Sequence, residues 1–433
     1  MTEIQNASGE GSASGEGSAS GEGSASGEGS ASDEPHGGGG EPKGRRTRPS
    51  RRAARRAARR VAIVGVGYSD VGRNTGITER HHAAQAAVRA LDDAGLSAND
   101  IDGASTWGGD AVDFAWMLGF DRLQWSLNVN VSPAFITPAY HAAQAVAAGH
   151  AETVMAFRIM MQQPPSSALA AGTAMLSAPS PGDTQFQNPF GVFSPTQWAG
   201  LLMQRYMHET GATEEHFATF AEVQREWALM NDNALQKGPL SAADYLELPY
   251  ITKPLRILDC DYPCDSGSAV IFTTEERARD LKQPAVFVEA SALSAIRDMN
   301  FEILPDMVRT SPAHCAELLW KRSDLTPVDV DTAHLYDGFS IITLQWLEAL
   351  GLCGPGEAAE FVKEGNTRPG GKMPTNTDGG AINVGRRHGA NFCIEAVKQL
   401  RGQCGERQVP GAEVSVWANA VGMFSGAMLL TNQ

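Results

Sequence analysis

Continuous apolar runs, rather than strict alternation, mark the strands of this chain from residue 61 onward. VAIVGVG (61–67) is one such run, closing in glycines, and predicts a strand covered on both faces. Residues 79–94, ERHHAAQAAVRALDDA, place Ala83, Ala86, Ala87, Ala90, Leu91 and Ala94 on one helical face, with Gly95 as the stop. A face of such small residues predicts close packing on a neighbour. NVNVSPAFITPAYHAAQAVAAGHAETVMAF (128–157) reads as a strand, a corner at Ser132–Pro133, a small-residue helix and a second strand. CDSGSAVIFTTEERARDL (264–281) predicts a strand and then a polar helix, and AVFVEASAL (285–293) a further buried strand. Between about 160 and 255 the pattern breaks into PPSS, SAPSPGD and NPFGVFSP, with helical stretches at 196–210 and 213–235. That segment is expected to be a long insertion, and long loops on a rigid scaffold tend to line a site.

The pattern repeats. AGLSANDIDGASTW (94–107) resembles SDLTPVDVDTAHLY (323–336) at a constant offset of 229. Ser97 pairs with Thr326, Asp100 with Asp329, Asp102 with Asp331 and Trp107 with Tyr336. HAAQAVAAGHAETVMAF is echoed in the same order by CIEAVKQL and GAEVSVWANA near 393–420. Two βαβ-type units that each occur twice predict a duplicated α/β fold, with mixed central sheets layered by helices. The expected divisions are a leader (1–60), an N-terminal half (61–290) containing the insertion at about 160–255, and a C-terminal half (291–433).

Composition changes this picture at the ends and in the charge. Residues 9–32 are four copies of GEGSAS, followed by GGGG and the Arg-rich RRTRPSRRAARRAARR (45–60). Such residues cannot bury enough apolar surface to offset chain entropy, so a flexible leader is expected. The whole chain carries 35 basic and 50 acidic residues; outside the leader 25 and 42 remain. A body this acidic repels nucleic acid and anionic membrane. No run approaches the ~20 apolar residues of a membrane span, and no secretory signal is seen, so a cytoplasmic location is expected. The six cysteines fit no zinc spacing and are expected as reduced thiols, with no metal site. Gly65 and Gly67 open like a dinucleotide fingerprint, but position 70 is Asp, and a plain strand end is the simpler reading.

The order of RYMHETGAT (205–213), KPLRILDCDYPCDSGSAV (253–270), YDGF (336–339), LEALGLCGPGEAAEFV (347–362) and PTNTDGGAINVGRRHG (374–389) resembles the thiolase superfamily. Within it the chain is most similar to the lipid-transfer-protein branch related to sterol carrier protein X, and there to the steroid side-chain aldolases. The resemblance implies a duplicated thiolase-like fold, usually a homodimer, and retro-aldol cleavage of a hydroxyacyl-CoA. It also implies a small OB-fold/zinc-ribbon partner protein, and coenzyme A present in the substrate thioester rather than as a bound cofactor.

The departures from that pattern direct the chemistry. The nucleophilic cysteine of a thiolase falls at Ser132, one histidine at Tyr336, and a second at Arg386; the C-terminal catalytic cysteine has no counterpart in VWANAVGMFSGAM. The aldolase branch has a catalytic tyrosine at position 336, which is kept here, and a tyrosine where Arg386 stands. A Claisen reaction needs an acyl-holding thiolate. Retro-aldol cleavage needs only a base for the β-hydroxyl proton and donors for the thioester enolate. Tyr336 is the expected base, its ordinary pKa of ~10 brought down by a cation such as Arg386, with Arg386 or His388 as electrostatic support. Ser132 is either a nucleophile or the cap of the helix that follows. Tyr336 could also be a core aromatic, and Arg386 and Arg387 a solvated pair. Gly379 and Gly380 would allow close backbone approach to a thioester, with Asn376 orienting the loop. Acyl transfer in the manner of an acetyl-CoA acetyltransferase and an inactive scaffold subunit remain as alternatives.

Overall fold

A computed structural model of the protein describes residues 59–129, 134–162, 184–192, 194–296, 310–421 and 424–433. Ser132 and residues 1–58 of the leader lie outside the described residues, as does part of the insertion. The strands are β1 (Val61–Tyr68), β2 (Gly103–Trp107), β3 (Trp125–Val129), β4 (Thr153–Met160), β5 (Tyr250–Thr252), β6 (Leu255–Arg256), β7 (Ser266–Thr274), β8 (Val286–Ala295), β9 (Thr332–Leu335), β10 (Val414–Val421) and β11 (Phe424–Thr431). The longer helices are α1 (Glu79–Ala94), α2 (Ala111–Met117), α3 (Ile136–Ala148), α4 (Pro195–Thr210), α5 (Glu214–Leu229), α6 (Ser311–Trp320), α7 (Ser340–Ala349) and α8 (Ala390–Leu400).

Among the described residues, nine strands form one mixed sheet in the order β3-β2-β4-β7-β1-β8-β11-β10-β9, with β5–β6 a separate ribbon. The order is a mirrored duplication about the β1–β8 junction, where Ala62 faces Phe287 and Ile63 faces Val286. On each side two parallel strands (β2 with β4, β9 with β10) continue into antiparallel ones. The place that β3 takes beside β2 is marked in the second copy by an isolated parallel bridge, Ala333 to Thr375.

The repeated sequence works the same way in both copies. The Asp102 carboxylate accepts the backbone N–H groups of Glu152 (3.0 Å) and Thr153 (2.8 Å) at the start of β4. The Asp331 carboxylate accepts those of Glu413 (2.8 Å) and Val414 (2.9 Å) at the start of β10. Ser97 with Asp100, and Thr326 with Asp329, form matching capping boxes on the turns before β2 and β9.

Packing explains the small residues. The alanine face of α1 lies on β1, and a side chain at Gly65 or Gly67 would run into the backbone of α1 at Ala90 or Ala86. Both glycines therefore serve helix–strand contact, not a nucleotide. Helix α3 packs on β2, β4 and β7 and also on β8 and β11; α8 packs on β9 and β10 and also on β1 and β7. The two helices thus join the copies. In the insertion, α5 stops at Leu229, short of the predicted 235. Asn231 ends it, accepting the Asn233 N–H and donating to the Asp378 carbonyl. The last two leader arginines are tied down: Arg59 pairs with Glu152 (2.6 Å), and Arg60 lies over the Phe287 ring (3.8 Å). Among the described residues no helix is long and apolar enough to cross a membrane.

Candidate active site

Tyr336 follows the last residue of β9 and is buried, 5% exposed. Its N–H donates to the Ala418 carbonyl (2.9 Å), and its ring stands edge-on to Phe392 (6.4 Å between centroids). Gly338 is glycine because a Cβ there would come within 2.5 Å of the phenol. Asn376, itself left-handed (φ 53), uses its amide as a peptide mimic on the free edge of β9. Its Oδ1 accepts the Leu335 N–H (2.6 Å) and its Nδ2 donates to the Leu335 carbonyl (2.8 Å). That amide is fully engaged in holding the residue before Tyr336.

Beside the phenol lies an ion pair, Arg386 to Asp261 at 2.7 Å, with Asp261 buried and Arg386 partly exposed. The Asp261 N–H donates to the Gly338 carbonyl, which sets the pair against the Tyr336 loop. The electrostatic outcome reverses the expectation for Tyr336. Burial raises the phenol most and the Asp261 carboxylate raises it further; Arg386 and Arg158 pull it down and lose. Arg386 spends its charge on Asp261, so Tyr336 is a protonated phenol. Burial also raises Asp261, against the pull of Arg386.

Gly379 and Gly380 have positive φ (99° and 72°), but the space a side chain would take is filled by Ala228 of α5 and by the Asp337 carboxylate. Asp337 is buried and accepts the N–H groups of Ala381 (2.9 Å) and Ile382 (3.5 Å). Asp378 accepts the Gly380 N–H and the Asn391 amide, both at 2.9 Å; burial raises its carboxyl to about 6. The side of each glycine that a Cβ would occupy therefore faces the protein itself. Arg387 is no solvated partner of Arg386: it is 2% exposed and stacks over Tyr68 at 4.2 Å.

His388 is half-buried and left-handed (φ 48). Its Nδ1 accepts from the Arg158 guanidinium, at 2.7 Å from Nη2 and 3.2 Å from Nε. Its ring lies 4.7 Å from that of Trp107, and Arg158 in turn stacks on Trp107 (4.1 Å) and donates to the Trp107 carbonyl (2.6 Å). The His388 carbonyl accepts from the Phe135 N–H (2.9 Å) and the Asn419 amide (3.2 Å). Burial, Arg158 and Arg386 push the imidazole well below its ordinary value. The fold thus brings Tyr336, Arg386 and His388 to one end of the sheet, and the Phe135 bond ties the corner after Ser132 to them.

Asp261, Arg158 and Asp337 carry no role in the sequence reading, and Trp107 enters it only as the repeat counterpart of Tyr336. Arg158 had a signal, a lone charge inside the apolar strand TVMAFRIM. Asp261, in LDCDYPCD, had none. The six thiols are free; Cys264, Cys315, Cys393 and Cys404 are buried, and burial raises all six, Cys315 and Cys353 to about 12. Among the described residues, no group of His, Cys, Asp and Glu side chains could hold a metal ion.

The Thiolase C-terminal domain-like family matches residues 294–431. The chain is 37% identical over 360 residues to a 17-hydroxy-3-oxo-4-pregnene-20-carboxyl-CoA lyase of Mycobacterium tuberculosis, over 79% of this chain and 91% of the relative. It is 33% identical over 357 residues to a steroid side-chain-cleaving aldolase of Thermomonospora curvata, over 79% and 90%. Among solved structures, an Ltp2-ChsH2(DUF35) aldolase superposes with a TM-score of 0.77 at 31% identity, over 87% of this chain and 98% of the other.

Proposed function

Because this chain belongs to the thiolase superfamily, in its branch of steroid side-chain-cleaving aldolases, we propose that it cleaves a carbon–carbon bond in a β-hydroxyacyl-CoA by retro-aldol chemistry. The observation that carries the reading is Tyr336, a buried phenol at a strand end, between the Arg386–Asp261 pair and the Arg158–His388 pair. The acyl group is the side chain of a steroid, and coenzyme A enters as part of the substrate.

The phenol is protonated before substrate arrives, so it exchanges a proton rather than ionising in advance. The phenol oxygen accepts the β-hydroxyl proton as its own proton passes to the Asp261 carboxylate, the charge that raises it most. The carbon–carbon bond breaks, the hydroxyl carbon becomes a carbonyl, and the electron pair moves onto the thioester as an enolate. Arg386 and His388 supply the electrostatic support for that oxygen. The proton held at Asp261 returns to the α-carbon, leaving the shortened acyl-CoA. The thiols do not support acyl transfer through cysteine, since each is held in its protonated form.

The likeness to the Ltp2-ChsH2(DUF35) aldolase supports a small OB-fold/zinc-ribbon partner, and membership of the superfamily supports a homodimer. The test is cleavage of 17-hydroxy-3-oxo-4-pregnene-20-carboxyl-CoA by the purified protein, with and without such a partner. Tyr336→Phe is expected to lower cleavage by about 10²–10⁴-fold with the fold intact. Unchanged cleavage would remove Tyr336 from the reaction.

A further inference from the structure

Arg158 and Asn419 occupy matching places in the two copies. Gly103 of β2 lies opposite Val154, and Thr332 of β9, offset by 229, lies opposite Ser415; Arg158 and Asn419 each stand four residues further along. Both reach His388. Asn419 donates to its carbonyl and Arg158 to its ring.

A guanidinium has donors and no acceptor. The Nδ1 that faces Arg158 must therefore offer its lone pair, and the proton of a neutral imidazole must sit on Nε2. Charge favours the neutral form. The charged groups acting on the ring are Arg158 from β4 and Arg386 from its own loop, both cations. Turning the ring over would put a carbon in place of Nδ1 and forfeit the Arg158 bond. Trp107 lies against it, and two hydrogen bonds fix its backbone carbonyl. Arg158 is itself held by the Trp107 carbonyl and ring. Nε2 makes no hydrogen bond among the described residues.

We propose that Arg158 is a positioning residue that fixes His388 as the neutral Nε2–H tautomer, and that this N–H donates to the thioester oxygen as the enolate forms. The donation step rests on the retro-aldol reading above; the tautomer does not. His388 donates a hydrogen bond and keeps its proton throughout, so the proton path through Tyr336 and Asp261 is unchanged.

The test is ¹⁵N NMR on histidine-labelled full-length protein, with His388→Asn to assign the signal, alongside cleavage kinetics. In the wild type His388 should remain a neutral Nε2–H imidazole between about pH 5 and 8. Arg158→Met should let both tautomers form and let the ring titrate at a higher pH than in the wild type, with burial and Arg386 still holding it below its ordinary value. It should also add an acidic limb to the pH–rate profile and lower kcat by about 10- to 100-fold with KM little changed, short of the 10²–10³ loss of an outright oxyanion donor. Arg158→Lys, which still donates to Nδ1, should restore the tautomer. An Nδ1–H signal in the wild type, or no change in tautomer and rate in Arg158→Met, overturns the proposal. The NMR arm is read without substrate and judges the tautomer alone; Tyr336→Phe judges the reaction.

Discussion

The chain enters its two shared helices through the same backbone shape and puts different chemistry there. Ala134 (φ 66) stands two residues before α3, and His388 (φ 48) two residues before α8. Both adopt the left-handed region that L-residues avoid at a cost of about 1–2 kcal/mol. The first corner carries a methyl group. The second carries an imidazole held by Arg158. The strand ends differ in the same way: Trp107 offers a ring face and a carbonyl to Arg158, whereas its counterpart Tyr336 offers a phenol beside Asp261 and Arg386. Further down the strands the copies agree, Asp102 and Asp331 each accepting two backbone N–H groups. Groups that fasten the start of a strand to the turn before its neighbour are shared because both copies build the same unit. Side chains at one end of the sheet carry no such duty and can specialise.

That contrast can be broken most forcefully at Gly389, which has φ 87 and sits against the Asn419 amide. Gly389→Ala combines left-handed strain with a steric clash and should cost at least ~3 kcal/mol in urea unfolding. Ala134→Gly at the other corner relieves strain while loosening the unfolded chain, and should change stability by less than ~1 kcal/mol. Equal losses would mean that the second corner is no tighter than the first. A smaller and symmetric effect is expected at the shared carboxylates. Asp102→Ala and Asp331→Ala each remove two partly solvated backbone hydrogen bonds and should each cost about 1–3 kcal/mol, at about 0.5–1.5 kcal/mol per bond. The two losses should agree within about 0.5 kcal/mol and should add, since the sites share no partner. A silent substitution at either would show that the duplicated geometry is not matched by duplicated energetics.

Much of the scaffold was legible before the structure. Buried strands such as VAIVGVG, the alanine face of α1 and the offset of 229 all follow from patterns that reach the fold through local packing. Tyr336, Arg386 and His388 could be named because motifs in order along the chain mark the strand and loop ends on which they sit. Their electrostatics could not. Whether Arg386 lowers Tyr336 depends on Asp261, which is 125 residues from Arg386 in sequence and pairs with it only through tertiary packing. Arg158 reaches His388 across 230 residues for the same reason. Nor does a glycine in sequence say what occupies the space where a side chain would stand, which at Gly379 and Gly380 is Ala228 and Asp337.

The finest contrast lies in the capping boxes, which match in design and differ in one neighbour. Asp100 is held below the ordinary aspartate value by the Ser97 N–H and hydroxyl, Asp329 by the Thr326 hydroxyl and N–H. Asp100 alone also pairs with Arg277, at 2.6 Å. Both carboxylates have folded values below their unfolded value of about 3.9, so the stability they add is present above that pH and is lost as pH falls through the folded values. NMR titration should place both midpoints below the ordinary value. Ser97→Ala and Thr326→Ala should each raise the midpoint of their own aspartate and leave the other in place. Arg277→Gln should raise Asp100 only. If it moved Asp329 as well, the boxes would be coupled through the sheet; if it moved neither, the ion pair would add nothing to the first copy, and the two boxes would be the same in energy as they are in sequence pattern.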